Sequence, residues 1–85
     1  MKIVWDEPKR LANVEKHGLD FAMLDAEFFL DSIIEPAKVG RLKAIGRIAA
    51  GVVSVIFVRL GSEGLSVISM RPANPDERRL FNGET

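Results

Sequence analysis

Residues 41–71, RLKAIGRIAAGVVSVIFVRLGSEGLSVISMR, predict three consecutive β-strands joined by short turns. The first strand, over residues 42–48, alternates basic and apolar side chains, which is the period-two pattern of a strand with two unlike faces. Residues 52–60 are apolar on both faces, as is typical of a central strand, and a glycine-bounded turn at residues 61–64 leads into a strand over residues 65–71. The stretch therefore predicts an antiparallel meander.

The same alternation predicts which side chains point together. Arg41, Lys43 and Arg47 share one face of the first strand, so three cations project in one direction. In the last strand a common face is predicted for Leu65, Val67, Ser69 and Arg71. Arg71 is thereby expected to leave the sheet at the end of its strand.

Before the meander, the sequence predicts a short strand and a first helix. Ile3-Val4-Trp5 is a β-branched and aromatic run, and Asp6 can cap the helix that follows it. Apolar residues then recur at three-to-four spacing over residues 8–17, and Gly18 offers the left-handed stop.

A second helix is predicted over residues 21–29, because apolar residues recur there at helical intervals after a cap at Asp20. Residues 32–35 fit a short strand, and Pro36 and Gly40 bracket a loop before the meander.

The C-terminal segment predicts a short third helix. Asn74 is its cap, Pro75 its first residue and Glu77 the third, which is a capping-box arrangement. The element order is then β-α-α-β-β-β-β-α. We expect an α+β fold, with a small antiparallel sheet of four to five strands and all helices packed on one side of it.

Length and composition favour one domain over residues 1–85, since so short a chain encloses a single hydrophobic core. The absence of cysteine excludes disulfides and thiolate metal sites. The charged N-terminus and the lack of an 18-residue apolar run predict a cytoplasmic protein that does not enter a membrane.

The net charge is zero, yet its distribution is uneven. Residues 1–40 hold five Lys and Arg against eight Asp and Glu, whereas residues 41–85 hold seven against four. Positive charge is therefore expected to lie on the sheet, where it suits phosphate groups.

The residues available for chemistry are one histidine, several Arg and Lys, and scattered hydroxyls, because no phosphate-binding loop, dinucleotide fingerprint, histidine pair or nucleophile elbow occurs. This inventory suits metal-free cleavage of RNA, which brings its own nucleophile in the 2′-hydroxyl.

His17 is a candidate general acid, because a helix C-terminus favours the protonated imidazolium. Its alternative is a cap residue that only hydrogen-bonds carbonyls beside Gly18. Lys16 is by default a solvated helix residue.

Cations of the second half are candidates for contacts with RNA: Arg41, Lys43, Arg47, Arg59, Arg71, Arg78 and Arg79. The alternative for Arg41, Lys43 and Arg47 is a solvated sheet face. For Arg78 or Arg79 it is ordinary pairing along the helix.

A set of short motifs spans most of the chain: Trp5-Asp6, Asn13, Lys16-His17-Gly18, Asp20-Phe21, Ala44-Ile45-Gly46, Ile68-Ser69, Arg71, Ala73 and Glu77-Arg78-Arg79. Together they resemble the BrnT family of type II toxins. The resemblance implies a RelE-like fold, ribonuclease activity without metal or other cofactor, and neutralisation by a BrnA-type antitoxin. That antitoxin carries a ribbon-helix-helix domain, and such pairs form hetero-oligomers that reach operator DNA through the antitoxin.

The resemblance also implies functional positions: Lys16, His17, Arg41, Arg71 and Arg78. The family often has Tyr where Phe81 stands, an acidic residue near Gly40 and Ala where Met70 stands. A hydroxyl that could move a proton is absent at Phe81. Two alternatives are a weak or inactive relative that serves as the antitoxin-binding half of a repressor complex, and a helper domain with no role in nucleic-acid chemistry.

Overall fold

Five strands form one sheet in the order β1-β5-β4-β3-β2 in a computed structural model that describes residues 1–83. The strands are β1 Lys2–Trp5, β2 Ile33–Pro36, β3 Leu42–Ile48, β4 Gly51–Leu60 and β5 Gly64–Pro72. The helices are α1 Glu7–His17, α2 Ala26–Asp31 and α3 Pro75–Phe81. Single 3₁₀ turns occur at Phe21–Met23 and Lys38–Gly40.

The predicted meander is confirmed, since β3, β4 and β5 pair antiparallel in sequence order. β2 extends it antiparallel beside β3, with Ile33 opposite Ile45. β1 differs from the expectation of a purely antiparallel sheet, because it lies parallel to β5 with Lys2 opposite Gly64. A four-residue strand far away in sequence carries no pattern that specifies this partner or its direction.

The first helix follows the sequence closely. Gly18 ends α1 in the left-handed conformation (φ 69°), and its N–H donates to the Val14 carbonyl at 2.8 Å. Asp6 occupies the cap position, but its side chain makes no capping hydrogen bond.

The prediction of one continuous second helix is wrong. Asp20 accepts from the Ala22 N–H at 2.9 Å and starts only the 3₁₀ turn, after which Leu24 is extended. Asp25 then accepts from the Phe28 N–H at 2.8 Å and caps α2. Two aspartates five residues apart each offer a helix start, and the apolar spacing does not reveal that the chain uses both.

The main core lies between one face of the sheet and the segment from Leu19 to Phe29. Phe29 packs edge-on against Phe28 and Phe57, with ring centroids 5.1 and 5.2 Å apart. Gly46 permits this close approach, because a Cβ there would lie 2.7 Å from the Phe28 ring.

The prediction that all helices pack on one side of the sheet is also wrong. Ile45 and Ser54 point away from the main core in the β3–β4 register, yet they are 0% and 1% exposed. α3 covers this second face, since its Glu77 reaches Lys43 on β3 and Arg71 on β5, across β4. The short helix has too few apolar residues for its sequence to predict which face of the sheet it covers.

A β-bulge overturns the predicted face of β5. Ile56 pairs with Ser69 and Phe57 with Val67, so Ile68 is the extra residue and the alternation changes sides there. Leu65 and Val67 therefore face the main core, whereas Ser69 and Arg71 belong to the second face. The prediction of one common face for these four residues is wrong because it assumes strict alternation along the whole strand.

Asn13 joins α1 to the sheet at the point where β1 pairing stops. Its Oδ1 accepts from the Met70 N–H at 3.0 Å, and its Nδ2 donates to the Leu19 carbonyl at 2.9 Å. Because β1 pairs with β5 only as far as Val67, the carboxamide occupies the edge of β5 beyond it. Asn13 is 6% exposed, so both backbone groups would lack a partner without it.

We expect Asn13→Ala to lower the free energy of unfolding by about 2–4 kcal/mol, since two buried backbone groups lose their partner. Asn13→Asp should cost more, because it removes the donor to Leu19 and buries a charge. Urea unfolding with exposed Asn82→Ala as the control measures both. Equal midpoints for Asn13→Ala and Asn82→Ala would contradict this role.

Candidate active site

A buried carboxylate organises the second face of the sheet. The side chain of Glu77 is 5% exposed, and its two oxygens accept hydrogen bonds from the Arg71 guanidinium at 2.7 and 2.9 Å. Lys43 Nζ lies 3.0 Å from Glu77 Oε2 and 3.5 Å from Glu35 Oε1. One helix residue thus connects β3 to the end of β5, and Arg71 and Lys43 lie on the same side of the sheet.

The local sequence explains why Glu77 is positioned so firmly. The predicted capping box is confirmed: Asn74 Oδ1 accepts from the Glu77 N–H at 2.8 Å, and Glu77 Oε1 accepts from the Asn74 N–H at 2.9 Å. The carboxylate therefore has donors from the backbone, Arg71 and Lys43, which offset its burial.

This environment shifts the ionisation of the carboxyl group. Burial alone would raise the pKa of Glu77, but hydrogen bonds from Arg71, Asn74 and Lys43 outweigh it and lower the pKa from 4.5 to about 2. The same pair raises the pKa of Arg71, chiefly through the hydrogen bond to Glu77. Both groups stay charged at neutral pH.

The neighbouring arginines of α3 differ in their contacts. Arg78 donates from Nη1 to the Ala73 carbonyl at 2.6 Å, which holds its side chain against the loop after β5. Arg79 forms an ion pair with Asp76 one turn earlier, as the alternative of ordinary helix pairing had suggested.

Of the three cations predicted to share one face of β3, Lys43 and Arg47 lie on the second face of the sheet. Arg41 immediately precedes β3 and is exposed. Arg47 is exposed at the other end of the strand, with its guanidinium 5.7 Å from the centre of the Phe81 ring. The Phe81 ring serves here as an aromatic support for Arg47.

Arg47 also borders a groove of about 650 Å³ between α2 and the β3–β4 turn. Asp25, Glu27 and Asp31 line this groove, so its field opposes phosphate binding. Acidic residues thus lie beside the C-terminal end of β3. The comparison of charge between residues 1–40 and 41–85 does not reveal this.

Lys16 and His17 lie at the end of α1, beside β5. A shallow pocket of about 220 Å³ brings them together with Lys9, Asn13 and the bulge residues Ile68 and Ser69. Ser69 shares the second face with Arg71 two residues later. The His17 pocket and Arg71 therefore both lie in the C-terminal part of β5.

Arg59 is separated from the other cations. In the β4–β5 register it pairs with Leu65, which faces the main core, so Arg59 lies on the opposite side of the sheet from Lys43 and Arg71. Its neighbours are apolar groups at the end of the core, among them Phe29 and Phe57.

Sequence reasoning missed two residues that hold the site together. The sequence predicts Glu77 as part of the capping box and of a family motif, and Asn13 as part of a motif, with no contact to the site cations for either. A capping-box glutamate within six residues of a strand-ending arginine is the signal that could have identified the first.

Within residues 1–83, no three His, Asp or Glu side chains are grouped to hold a metal ion. No helix of that range has the length and apolar character to cross a bilayer.

Fold and site together define a small α+β protein whose cationic face, anchored by a buried carboxylate, suits a phosphodiester. The family model described as "Ribonuclease toxin, BrnT, of type II toxin-antitoxin system" matches residues 5–77. The chain therefore belongs to the BrnT family of ribonuclease toxins, which act in type II systems with a protein antitoxin.

A solved structure agrees with this membership. The 1.1 Å crystal structure of the Brucella abortus ribonuclease toxin BrnT is similar at 57% sequence identity and a TM-score of 0.80. The match covers 87% of this chain and 97% of that one. No curated protein matches the chain.

The lowered pKa of Glu77 predicts a specific loss of stability in acid. A carboxyl with a depressed folded-state pKa stabilises the fold above its unfolded value, and this contribution is lost as the pH falls from about 4.5 toward 2. We expect it to amount to about 3 kcal/mol at neutral pH. Glu77→Gln should lose that amount at pH 7 and show a flatter stability profile below pH 5, measured by urea unfolding at several pH values.

Glu27→Gln, on the exposed face of α2, is the matched control and should keep the wild-type profile. Parallel profiles for wild type and Glu77→Gln through this range would contradict the assigned contacts.

Proposed function

We propose that this chain is an endoribonuclease toxin that cleaves RNA without a metal ion. The observation that carries the proposal is the half-exposed Arg71, fixed at the open end of β5 by Glu77 and flanked by Lys43. A rigid guanidinium on a cationic face stabilises charge that develops on a phosphate, and such fixed groups need no rearrangement during the reaction.

In the proposed reaction the 2′-hydroxyl of RNA attacks the adjacent phosphorus, and the bond to the 5′-oxygen of the next nucleotide breaks. Arg71 and Arg41 brace the phosphate, and Arg78 supports it from α3. His17 or Lys16 handles the proton that leaves the 2′-hydroxyl or the one that the 5′-oxygen gains. Family resemblance supports these roles, and the position of Lys16 and His17 beside the bulge of β5, the strand that carries Arg71, adds support for the two proton-transfer candidates.

Binding of the RNA backbone is assigned to Lys43, Arg47 and Arg79, with the phosphates outside the acidic groove that Arg47 borders. Glu77 and Glu35 already pair with the Lys43 ammonium group and offset its charge, so its contribution to binding is expected to be small. Arg59 stood in the same group by sequence, but it belongs to the opposite side of the sheet and is left out of the proposed RNA surface.

The proposed partner is a BrnA-type antitoxin with a ribbon-helix-helix domain, in a hetero-oligomer that contacts operator DNA only through the antitoxin. Membership of a type II family supports a protein antitoxin, and the finer assignment rests on resemblance. We further propose that residues 1–85 act as one toxin domain in the cytoplasm.

Purified protein, free of antitoxin, should cut total RNA at micromolar concentration in the presence of EDTA. Arg71→Ala should lower the cleavage rate by about 10²–10³, as expected for loss of a group that stabilises transition-state charge. His17→Ala should lower it by about 10²–10⁴ if His17 transfers a proton. Cleavage is followed on gels with a 5′-labelled oligonucleotide.

RNA that stays intact with wild-type protein would overturn the enzymatic assignment and favour an inactive, antitoxin-binding role. Cleavage that disappears only when EDTA is added would overturn metal independence. Full activity in His17→Ala would transfer proton handling to Lys16.

The proposed RNA surface predicts that position on the sheet matters more than charge. Arg41→Glu should weaken binding of a non-cleavable RNA by about tenfold or more, because a phosphate contact becomes a repulsion. Arg59→Glu makes the same charge change on the opposite face and should have little effect. Fluorescence anisotropy at two salt concentrations measures both variants, and equal losses would contradict the map.

A further inference from the structure

Arg71 has five N–H donors in a fixed plane, and three of them are used within the protein. Nη1 donates to Glu77 Oε1 at 2.7 Å and to the Pro72 carbonyl at 3.2 Å. Nη2 donates to Glu77 Oε2 at 2.9 Å. The end of the guanidinium, formed by its two terminal nitrogens, is therefore occupied by the carboxylate.

Two donors remain on the other edge of the same group. Nε–H and the second N–H of Nη2 lie side by side, and no acceptor contacts them among residues 1–83. The Arg71 side chain is 41% exposed, so a ligand can reach it. Two parallel N–H groups of this kind match two oxygens of one phosphate.

A phosphate that displaced Glu77 from the end of Arg71 would face a large opposing cost. The carboxylate is 5% exposed and would lose its bidentate partner while still buried. Lys43 and the Asn74 N–H also hold it in place. Substrate therefore has only the free edge of Arg71 to bind.

We propose that Glu77 is a positioning residue, which holds the end of the Arg71 guanidinium so that its Nε–Nη2 edge binds one RNA phosphate through two hydrogen bonds. The inference rests on the proposed function and specifies how its central arginine engages the substrate. Glu77 does not touch the substrate; it fixes the direction from which the phosphate is received.

NMR of the Arg71 Nε–H group tests the free edge directly. A 2′-O-methyl RNA oligonucleotide, which lacks the nucleophile, serves as the probe and cannot be cut. Its addition should shift the Arg71 Nε–H proton downfield as a new hydrogen bond to phosphate forms, while the Arg71–Glu77 contact persists. In Glu77→Gln the shift should be smaller and the midpoint of the titration higher.

Cleavage kinetics separate this role from simple support of the fold. Glu77→Gln, assayed where it remains folded, should lower kcat by about ten- to a hundredfold with a smaller change in KM, because the arginine is misaligned in the transition state. Arg71→Lys keeps a cation for Glu77 but lacks the second edge, so it should cut as poorly as Arg71→Ala while unfolding at higher urea. Glu63→Gln, an exposed carboxylate in the β4–β5 turn, is the control.

The outcomes distinguish this inference from the proposed function. RNA cleavage by wild type with no movement of the Arg71 Nε–H signal, or with Arg71→Lys near wild-type activity, would overturn the inference alone. Absence of both cleavage and oligonucleotide binding by wild type would overturn the two together.

Discussion

The ion pair between Glu77 and Arg71 is the interaction on which the rest of this structure depends. It fastens α3 to the second face of the sheet through the same carboxylate that completes the capping box of this helix, and it fixes Arg71 at the end of β5. A buried ion pair is by itself weak evidence for stability, since desolvation offsets much of the attraction. Here the extra donors from Lys43 and the Asn74 backbone make a charged carboxylate favourable at that depth.

The two faces of the sheet have different roles. One packs against Phe21, Phe28 and Phe29 and supplies most of the apolar burial. Within residues 1–83 the other is covered by a seven-residue helix, which leaves its cationic rim open to a ligand. The bulge at Ile68 makes this division possible, because it turns Arg71 away from the core while Leu65 and Val67 stay within it. Asn13 then brings the end of α1, with Lys16 and His17, to the same end of β5.

Local patterns predicted most of the fold, because strand alternation, glycine turns and the Asn74 capping box are encoded within a few residues. The class, the meander and the BrnT resemblance are confirmed. The errors have two physical origins. The side of α3 and the parallel pairing of β1 depend on contacts distant in sequence, and the break at Asp25 depends on competition between equivalent caps. The bulge at Ile68 is a single extra residue that no turn signal marks. At the site, the cations could be predicted from their positions, whereas the burial of Glu77 between Lys43 and Arg71 depends on the contact of α3 with β3, which is distant in sequence.

A double-mutant cycle on RNA cleavage tests most directly whether Glu77 acts through Arg71. The rate constants kcat/KM for wild type, Glu77→Gln, Arg71→Lys and the double variant give the coupling between the two side chains. We expect Glu77→Gln to add almost nothing once Arg71 is lysine, because the carboxylate acts in catalysis by holding that guanidinium. Effects that multiply independently would contradict it.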